Sequence, residues 1–275
     1  MEDSTRTCGI IVAAIGLPQE GAGLKTGGGL IMKLETAAFH EIEGAKKRKI
    51  PLVIPVGTIE YHGPHCSLGC DTQIAAGIAG RLAREKEIVV APPVWYGVAS
   101  YAVAGPEKNT VQVGPDVFEA YVACILESLL AGGWRNVYLL IHHQYENESL
   151  MPMTLACMKA GKKVTMAYLE KERGAGWWGS DSFSGYYGEL DAGDNPFNWI
   201  KVLPCMSARA QAATGYDHAG EWECSLMLAL CPEAVDLGLL GQSAEWFVQG
   251  AANASAAKGG EMLKISIEDL LERIK

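Results

Sequence analysis

The chain has 275 residues, and 23 Lys and Arg against 32 Asp and Glu give it a formal net charge of −9. Apolar residues make up 49% and charged residues 20%, which is typical of a globular protein and excludes a disordered chain. The acidic balance argues against nucleic acid as a main partner, because phosphate binding requires an excess of Lys and Arg. No apolar run approaches the roughly 20 residues of a membrane-spanning helix, so we expect no membrane association.

The first third of the chain predicts an extension followed by alternating strands and helices. Residues 1–29 are predicted to be an N-terminal extension, because glycines at 27–29 precede any periodic pattern. Strands are predicted at 30–34, 51–56 and 88–91, and helices at 35–49 and 72–85, the second with Asp71 as its N-cap.

The remaining residues continue the alternation. Helices are predicted at 115–130, 148–160, 219–230, 246–256 and 267–274, and strands at 137–141 and 163–168. The Gly- and Trp-rich residues 170–215 are predicted to be a long irregular loop that covers a site. Strands that alternate with helices predict an α/β fold, in which one domain over 30–275 contains a mostly parallel sheet covered on both faces.

The cysteines and the N-terminus predict a cytoplasmic protein. The eight cysteines are too few for a disulfide scaffold, and several lie inside apolar runs, so we expect reduced thiols. Cys66 and Cys70 are close together, but no second cysteine pair follows at zinc-finger spacing. Glu2 and Asp3 make the N-terminus acidic, unlike a signal peptide.

Residues that commonly ligate metals collect in three stretches, two of which directly follow predicted strands. The first stretch contains Glu60, His62, His65 and Asp71, the second covers 142–147 and the third covers 217–223. The carboxyl ends of parallel strands meet at one edge of the sheet, so we expect the first two stretches to converge there. Histidine and carboxylate ligands together suit Zn²⁺ or Mn²⁺, and a carboxylate can bridge two ions.

Each of these residues also has an ordinary structural interpretation when taken alone. Asp71 is then a helix cap, His40 a surface histidine and His143 a hydrogen-bonded core histidine. The occurrence of such residues in three stretches, two of them at one edge of the sheet, favours a metal site over these separate explanations.

The motifs resemble those of the creatininase (creatinine amidohydrolase) family. The run IPVGTIEYHGPHCSLGCDT is similar to the family pattern PVG-x-x-E-x-H-G-x-H followed by Asp, and QYEN and DHAGEWECSLMLALCPEAVDL follow in the family's order. The resemblance covers about 30–275. It implies a three-layer α/β/α sandwich, two ions of zinc or manganese per chain, chemistry at an amide C–N bond, and a homo-oligomer, often a hexamer.

The resemblance also implies roles for individual residues. Glu60 matches a ligand of one ion, His62 a ligand of the other, and Asp71 the bridging carboxylate. Glu146 matches a carboxylate ligand of the second ion. The expected catalytic residues are His218, which matches the proton-transferring histidine, and Glu223, which matches the glutamate of the last motif; His65 matches an outer histidine.

The chain departs from the family pattern just before the Tyr-Glu-Asn motif. Gln144 stands where the family has a metal-binding histidine. Either His143 or His142 replaces it through a local backbone shift, or one ion is weakened or lost; His143 is taken as the metal ligand. The aromatic residue that closes the family's pocket has no clear match. Leu169 and Tyr216 fall near such positions, and Trp177 with Trp178 either line the pocket or belong to the core or an oligomer interface.

The predicted function is therefore a metal-dependent amidohydrolase, in which an activated water cleaves a C–N bond of a small cyclic or linear amide. The alternatives are a deformylase-type linear amidase and a non-catalytic relative that binds a small ligand. A metal enzyme of another reaction type, such as a lyase or isomerase, also stays open.

Overall fold

The computed structural model describes residues 31–144, 151–188 and 195–275. Within them, five strands form one sheet in the order β1-β3-β2-β4-β5, and every neighbouring pair is parallel. The strands are β1 (Met32–Lys33), β2 (Leu52–Val56), β3 (Val89–Val90), β4 (Val137–Ile141) and β5 (Ile200–Pro204). β2 and β4 lie side by side and are buried along their whole length, as expected of parallel strands covered on both faces.

Helices cover both faces of this sheet. They are α1 (Phe39–Lys47), α2 (Cys70–Glu85), α3 (Pro115–Ala131), α4 (Pro152–Arg173), α5 (Ala208–Ala213), α6 (Glu221–Leu230) and α7 (Ala256–Arg273). Short 3-10 helices lie at Pro106–Lys108, Trp177–Gly179, Asp181–Phe183, Tyr186–Gly188, Pro196–Asn198, Pro232–Ala234, Leu237–Gln242 and Trp246–Asn253.

Two hydrophobic cores separate the helices into two layers. α1, α3 and α4 pack on one face of the sheet, and α2, α5, α6 and α7 on the other. Successive β4 side chains alternate between the cores: Leu139 belongs to the first, and Tyr138 and Leu140 belong to the second. The predicted three-layer α/β/α sandwich is confirmed, and the sheet is parallel throughout the described residues.

The structure corrects the prediction for 163–168. This segment is the second half of α4 and not a strand. Val164, Met166 and Tyr168 alternate along the sequence like strand residues, but the buried positions Ala160, Val164 and Leu169 continue the helical stripe of the preceding turns. Helical packing therefore outweighs the short alternating pattern.

The segment 170–215, predicted to be an irregular loop, contains the edge strand β5, which no sequence pattern indicated. The helix predicted at 246–256 is 3-10 over Trp246–Asn253, and the one predicted at 267–274 is the end of α7. Asp71 is not an N-cap, because α2 begins one residue earlier. The predicted extension at 1–29 lies outside the described residues.

Of the helices that the structure describes, none combines the length and apolar character that crossing a bilayer requires.

The core between α3 and the sheet offers a direct test of packing. Phe118→Ala is expected to lower the free energy of unfolding by about 3–5 kcal/mol, because the ring is fully buried and its removal leaves a cavity. Phe39→Ala is the matched control: this ring is 81% exposed, and its removal is expected to cost less than about 0.5 kcal/mol. Urea unfolding of both variants measures the difference, and equal losses would contradict the assigned core.

Candidate metal centre

The polar stretches converge where β2 and β4 end. β2 connects to β3 through α2 on one face of the sheet, whereas β3 connects to β4 through α3 on the other. The connections that leave β2 and β3 therefore cross opposite faces of the sheet, and β2 and β4 are the neighbouring strands at this change. Open parallel sheets bind ligands beyond the carboxyl ends of the strands at such a place. The His142 amide donates to the Val56 carbonyl at 3.1 Å, which joins the starts of the two loops.

Gly57 allows α2 to approach the end of β2 closely. A Cβ added to Gly57 would lie 2.4 Å from the backbone nitrogen of Thr72, so a larger residue would push the helix away. Asp71, one residue before Thr72, is thereby held in the first turn of α2, where the helix dipole stabilises a negative charge. The tight turn thus brings a carboxylate of α2 to the end of the central strands.

One group of ligand atoms is formed by Glu60, Asp71 and His143, all of which are buried. Nδ1 of His143 lies 3.1 Å from Oδ2 of Asp71 and 3.4 Å from Oε2 of Glu60. His143 therefore lies beside both carboxylates. Gln144 itself has a left-handed backbone with φ of 47°, which supplies the local shift between the two residues.

A second group lies on the other side of Asp71. Nε2 of His62 is 3.8 Å from Oδ1 of Asp71 and 3.4 Å from Oε2 of Glu223. Nε2 of His142 is 3.1 Å from Oε1 of Glu223. Asp71 thus presents one carboxylate oxygen to each group, which is the arrangement of a bridging ligand.

The orientation of His62 fits a bound cation. Its Nδ1 lies 2.9 Å from the Glu60 carbonyl, which can only accept, so Nδ1–H is the donor and Nε2 carries the lone pair in the neutral ring. No described residue hydrogen-bonds to this buried Nε2, although it faces the oxygens of Asp71 and Glu223. A metal-ligating histidine commonly donates its other N–H to a backbone carbonyl in this way.

The ionisation of these groups shows how strongly the centre attracts positive charge. Burial raises the pKa of Glu60 to about 7, against an ordinary value of 4.5. Burial alone would lower the pKa of His62, but the attraction of Glu223 and Asp71 outweighs it and raises that pKa well above its ordinary value. For Glu223, attraction to His62 and a hydrogen bond from His142 overcome burial and hold its pKa well below its ordinary value. Without a cation, Glu60 and the His62 ring therefore hold protons more tightly than usual.

The raised pKa of Glu60 predicts an unusual pH dependence for protein stripped with a chelator. Between pH 4.5 and about 7, the folded chain keeps a proton that the unfolded chain has released, so Glu60 makes folding less favourable as pH rises. Glu60→Gln is expected to remove this decline and to stabilise the stripped protein increasingly toward neutral pH. Urea unfolding across this range measures the difference, and a constant difference between the two proteins would contradict the assignment.

His218 lies between the metal centre and the solvent. Its Nε2–H donates to the Tyr61 carbonyl at 3.0 Å, and its Nδ1 faces Oε2 of Glu60 at 4.0 Å. Burial and the nearby His62 lower the pKa of His218, so its ring is neutral at neutral pH and can accept a proton at Nδ1. Asp217 caps α6 by accepting from the backbone N–H of Trp222 and of Glu223, both at 3.0 Å, which fixes this segment.

The centre opens into a cavity of about 420 Å³, a volume that suits a small molecule. Ala102, Val103, Tyr216, Trp246 and Phe247 line its wall, and the Phe247 ring packs edge-on against His218 with centroids 5.3 Å apart. Two other grooves, of about 710 and 660 Å³, lie between helices on the outer faces, and no histidine lines either one.

Tyr216, which falls near the position of the aromatic residue that closes the family's pocket, lines the cavity. The other candidates are placed elsewhere: Leu169 is buried in α4, and Trp177 packs in the first core against Phe183. Trp178 contacts Tyr186 and is not among the described residues that line the cavity. The other aromatic residues of the wall are Trp246 and Phe247, which no motif indicated.

Six of the predicted site residues lie together in the structure: Glu60, His62, Asp71, His143, His218 and Glu223. Glu146, the seventh, lies outside the described residues. His65 is not a member of these ligand groups, and its Nε2–H donates to the Ala219 carbonyl at 2.9 Å. Two ligand-type residues were not predicted as part of the centre: His142, which was only an alternative to His143, and Cys70, which lies within reach of His62 and Glu223.

Comparison with known proteins identifies the relatives of this chain. The family model for creatininase, described as creatinine amidohydrolase, matches residues 35–274. The chain is 31% identical to the 3-dehydro-scyllo-inosose hydrolase of Thermotoga maritima over 112 residues, 41% of the chain. It is 27% identical to the mycofactocin precursor peptide peptidase of Mycolicibacterium smegmatis over 193 residues, 68% of the chain. The matches span 36% and 60% of the lengths of these two relatives.

Solved structures share the fold. A creatininase superposes with a TM-score of 0.64 at 22% identity, over 89% of this chain and 96% of that chain. A manganese form and a variant of zinc–zinc type superpose with TM-scores of 0.63 and 0.62. At such identities, the similarity shows a common fold.

Proposed function

The chain belongs to the creatininase family, as its three motifs predict, and from that premise we propose that it is a metal-dependent hydrolase of C–N bonds in small amides. The observation that carries the proposal is the position of Asp71. Its two oxygens face two separate groups of buried ligand atoms, at the inner end of a cavity that suits a small molecule.

The proposed ion positions follow the two groups. Glu60, Asp71 and His143 would hold one divalent ion, and His62, Asp71 and Glu223 the other. Zn²⁺ and Mn²⁺ are the proposed ions, because the ligands are histidine and carboxylate and both ions occur in solved creatininases. When bound, such ions supply Lewis-acid chemistry, which makes water more acidic and stabilises developing negative charge.

His218 is the proposed proton carrier. Its neutral Nδ1 faces the centre near Glu60, so it takes a proton from the attacking water as the new C–O bond forms. The same proton then passes to the departing nitrogen as the C–N bond breaks. The hydrogen bond from Nε2 to the Tyr61 carbonyl keeps the ring in the tautomer that this exchange requires.

Glu223, which the motif match places among the catalytic residues, has a different proposed role. It is fully buried, ionised and in contact with both His62 and His142, so it holds histidines in place and offers an oxygen to a cation. A carboxylate whose pKa lies well below its ordinary value does not donate a proton at neutral pH.

The aromatic wall is proposed to select planar substrates and to exclude water from them. Tyr216 and Phe247 border the entrance, and Trp246 beside them is 85% exposed, so its ring can cover a bound molecule. We also propose a homo-oligomer, as the family resemblance implies. Exposed apolar side chains on α3 and α4, among them Val117, Tyr121 and Met158, support this proposal.

A substrate screen tests the proposed reaction. Protein loaded with Zn²⁺ or Mn²⁺ is incubated with lactams and other cyclic amides, formamides, short peptides and a cyclic ketone, and amine release and ring opening are followed. Amine release from an amide, lost on chelation and restored by the metal, is the expected result. Cleavage of formamides alone would favour a deformylase-type linear amidase. Binding of metal and amide without any turnover would favour a non-catalytic relative and overturn the proposed activity.

A further inference from the structure

Three buried cysteines lie directly behind the metal centre. Cys66 precedes α2, Cys70 is the first residue of α2, and Cys224 follows Glu223 in α6. Their side chains are at most 8% exposed, and all three thiols are free. None of them is among the residues that line the cavity, so these sulfur atoms face the centre from the protein interior.

The three thiols form a connected row. The Cys66 sulfur accepts hydrogen bonds from the thiol of Cys224 on one side and from the thiol of Cys70 on the other. Sγ of Cys224 in turn lies 3.3 Å from Nε2 of His65. Cys70 stands at the inner end of this row, where its sulfur and ligand atoms of His62 and Glu223 all lie within 4.8 Å of one another.

We propose that Cys70 is a ligand of the ion held by His62 and Glu223, and that its sulfur makes the centre prefer thiophilic ions such as Zn²⁺ over Mn²⁺. This inference rests on the metal dependence proposed above, and it concerns which ion the centre takes. Nothing in the three sequence motifs assigns a sulfur ligand to such a site.

The spacing of the donor atoms supports this assignment. Ligand atoms of a tetrahedral zinc ion with bonds of about 2.0–2.3 Å lie about 3.3–3.8 Å apart. The separation of 3.4 Å between Nε2 of His62 and Oε2 of Glu223 falls within this range. Cys70 lies close enough that small side-chain rotations bring its sulfur to the same ion.

The unsatisfied nitrogen of His62 supplies a second, independent observation. Its Nε2 is buried, faces oxygens of Asp71 and Glu223, and has no hydrogen-bond partner among the described residues. A cation between this nitrogen, the Glu223 oxygen and the Cys70 sulfur would satisfy all three atoms. Cys66 would orient the Cys70 sulfur, as outer partners orient the ligands of metal sites.

The chemical consequence is selectivity. Thiolate ligands favour Zn²⁺ and Cd²⁺, whereas Mn²⁺ prefers oxygen ligands. The thiol proton of Cys70 leaves to solvent as the sulfur–metal bond forms. Binding of Zn²⁺ therefore releases one more proton than it would if only oxygen and nitrogen atoms bound the ion.

Cobalt substitution tests the sulfur–metal bond without any assay of activity. Full-length reduced protein is stripped with a chelator and titrated with Co²⁺ while the near-ultraviolet and visible spectra are recorded. We expect a sulfur-to-cobalt charge-transfer band that grows with the bound ion. Cys70→Ser is expected to lose this band, and Cys157→Ser to keep it, because Cys157 is equally buried but lies in the core on the opposite face of the sheet.

Ion competition measures the preference itself. Cys70→Ser is expected to weaken Zn²⁺ binding by at least about tenfold, because removal of a residue that only hydrogen-bonds to a metal ligand already lowers metal affinity by about that much. Binding of Mn²⁺ is expected to stay within about threefold of the wild-type value. Co²⁺ that binds without the band, or a band that Cys70→Ser keeps, would overturn the inference but leave the proposed hydrolase standing. Protein that binds no ion would overturn both. If Cys70→Ser does not fold, the wild-type cobalt spectrum decides alone.

Discussion

Asp71→Asn is expected to abolish both metal binding and hydrolysis. The amide keeps the shape of the side chain but removes the charge that both ligand groups share, so neither ion position keeps its full set of ligands. Affinity for the ions should fall by more than about 100-fold. Turnover should fall by more than about 10³-fold, which exceeds the effect of removing one hydrogen-bond donor that stabilises negative charge in the transition state. Metal content by mass spectrometry and amine release by a coupled assay measure the two effects.

Asp116→Asn is the matched control for this substitution. Asp116, like Asp71, is the second residue of a helix and lies in its first turn, so both substitutions remove the same interaction with a helix dipole. Asp116 is exposed on α3 and lies outside the centre, and its variant should keep metal and activity. If Asp71→Asn kept its full metal content and turnover, the assigned centre would be wrong.

His218→Asn is expected to separate binding from chemistry. The proposed role of His218 is to carry protons. His218 does not belong to the ligand group that contains His143 or to either ligand group that contains Glu223. Metal content should therefore stay near the wild-type value while kcat falls by about 10²–10⁴-fold, the usual contribution of a positioned acid or base. The change should appear in kcat more than in KM.

His40→Asn provides the comparison, because His40 is exposed on α1 and outside the centre. Its variant should match the wild type in both metal content and kcat. A His218 variant that loses its metal would instead assign this histidine to the group with Glu60 and His62, whose ligand atoms it also approaches. A variant with unchanged kcat would remove it from the mechanism.

The central strands and the polar loops that follow them could be predicted from the sequence. The runs PLVIPV and YLLI are short and apolar throughout and are followed by polar residues, which favours buried strands, and the structure contains strands at both. Because the two strands are parallel, their carboxyl ends lie at the same edge of the sheet, so Glu60 and His143, which follow those ends, are expected to lie close together. The second half of α4 was predicted wrongly because burial against the sheet, and not local alternation, decides its conformation.

The finer arrangement of the centre depends on backbone detail that the sequence does not display. Adjacent residues of a strand point to opposite faces, so His142 and His143 compete for one role until the strand end is known. In the structure, β4 ends at Ile141, and the two rings meet different carboxylates, Glu223 and Asp71. The approach of Cys70 likewise depends on the first turn of α2, which begins two residues earlier than predicted.

In the proposed centre, one carboxylate lies between two ion positions, which makes the occupancies of those positions thermodynamically linked. The first ion relieves the repulsion among Glu60, Asp71 and Glu223, whereas the second meets the charge of the first across Asp71. Loading should therefore proceed in two unequal steps, and each ion must change the affinity of the other by the same factor. In this proposal the number of ions per chain depends on the free metal concentration, so protein with one ion bound is expected to accumulate between the two steps.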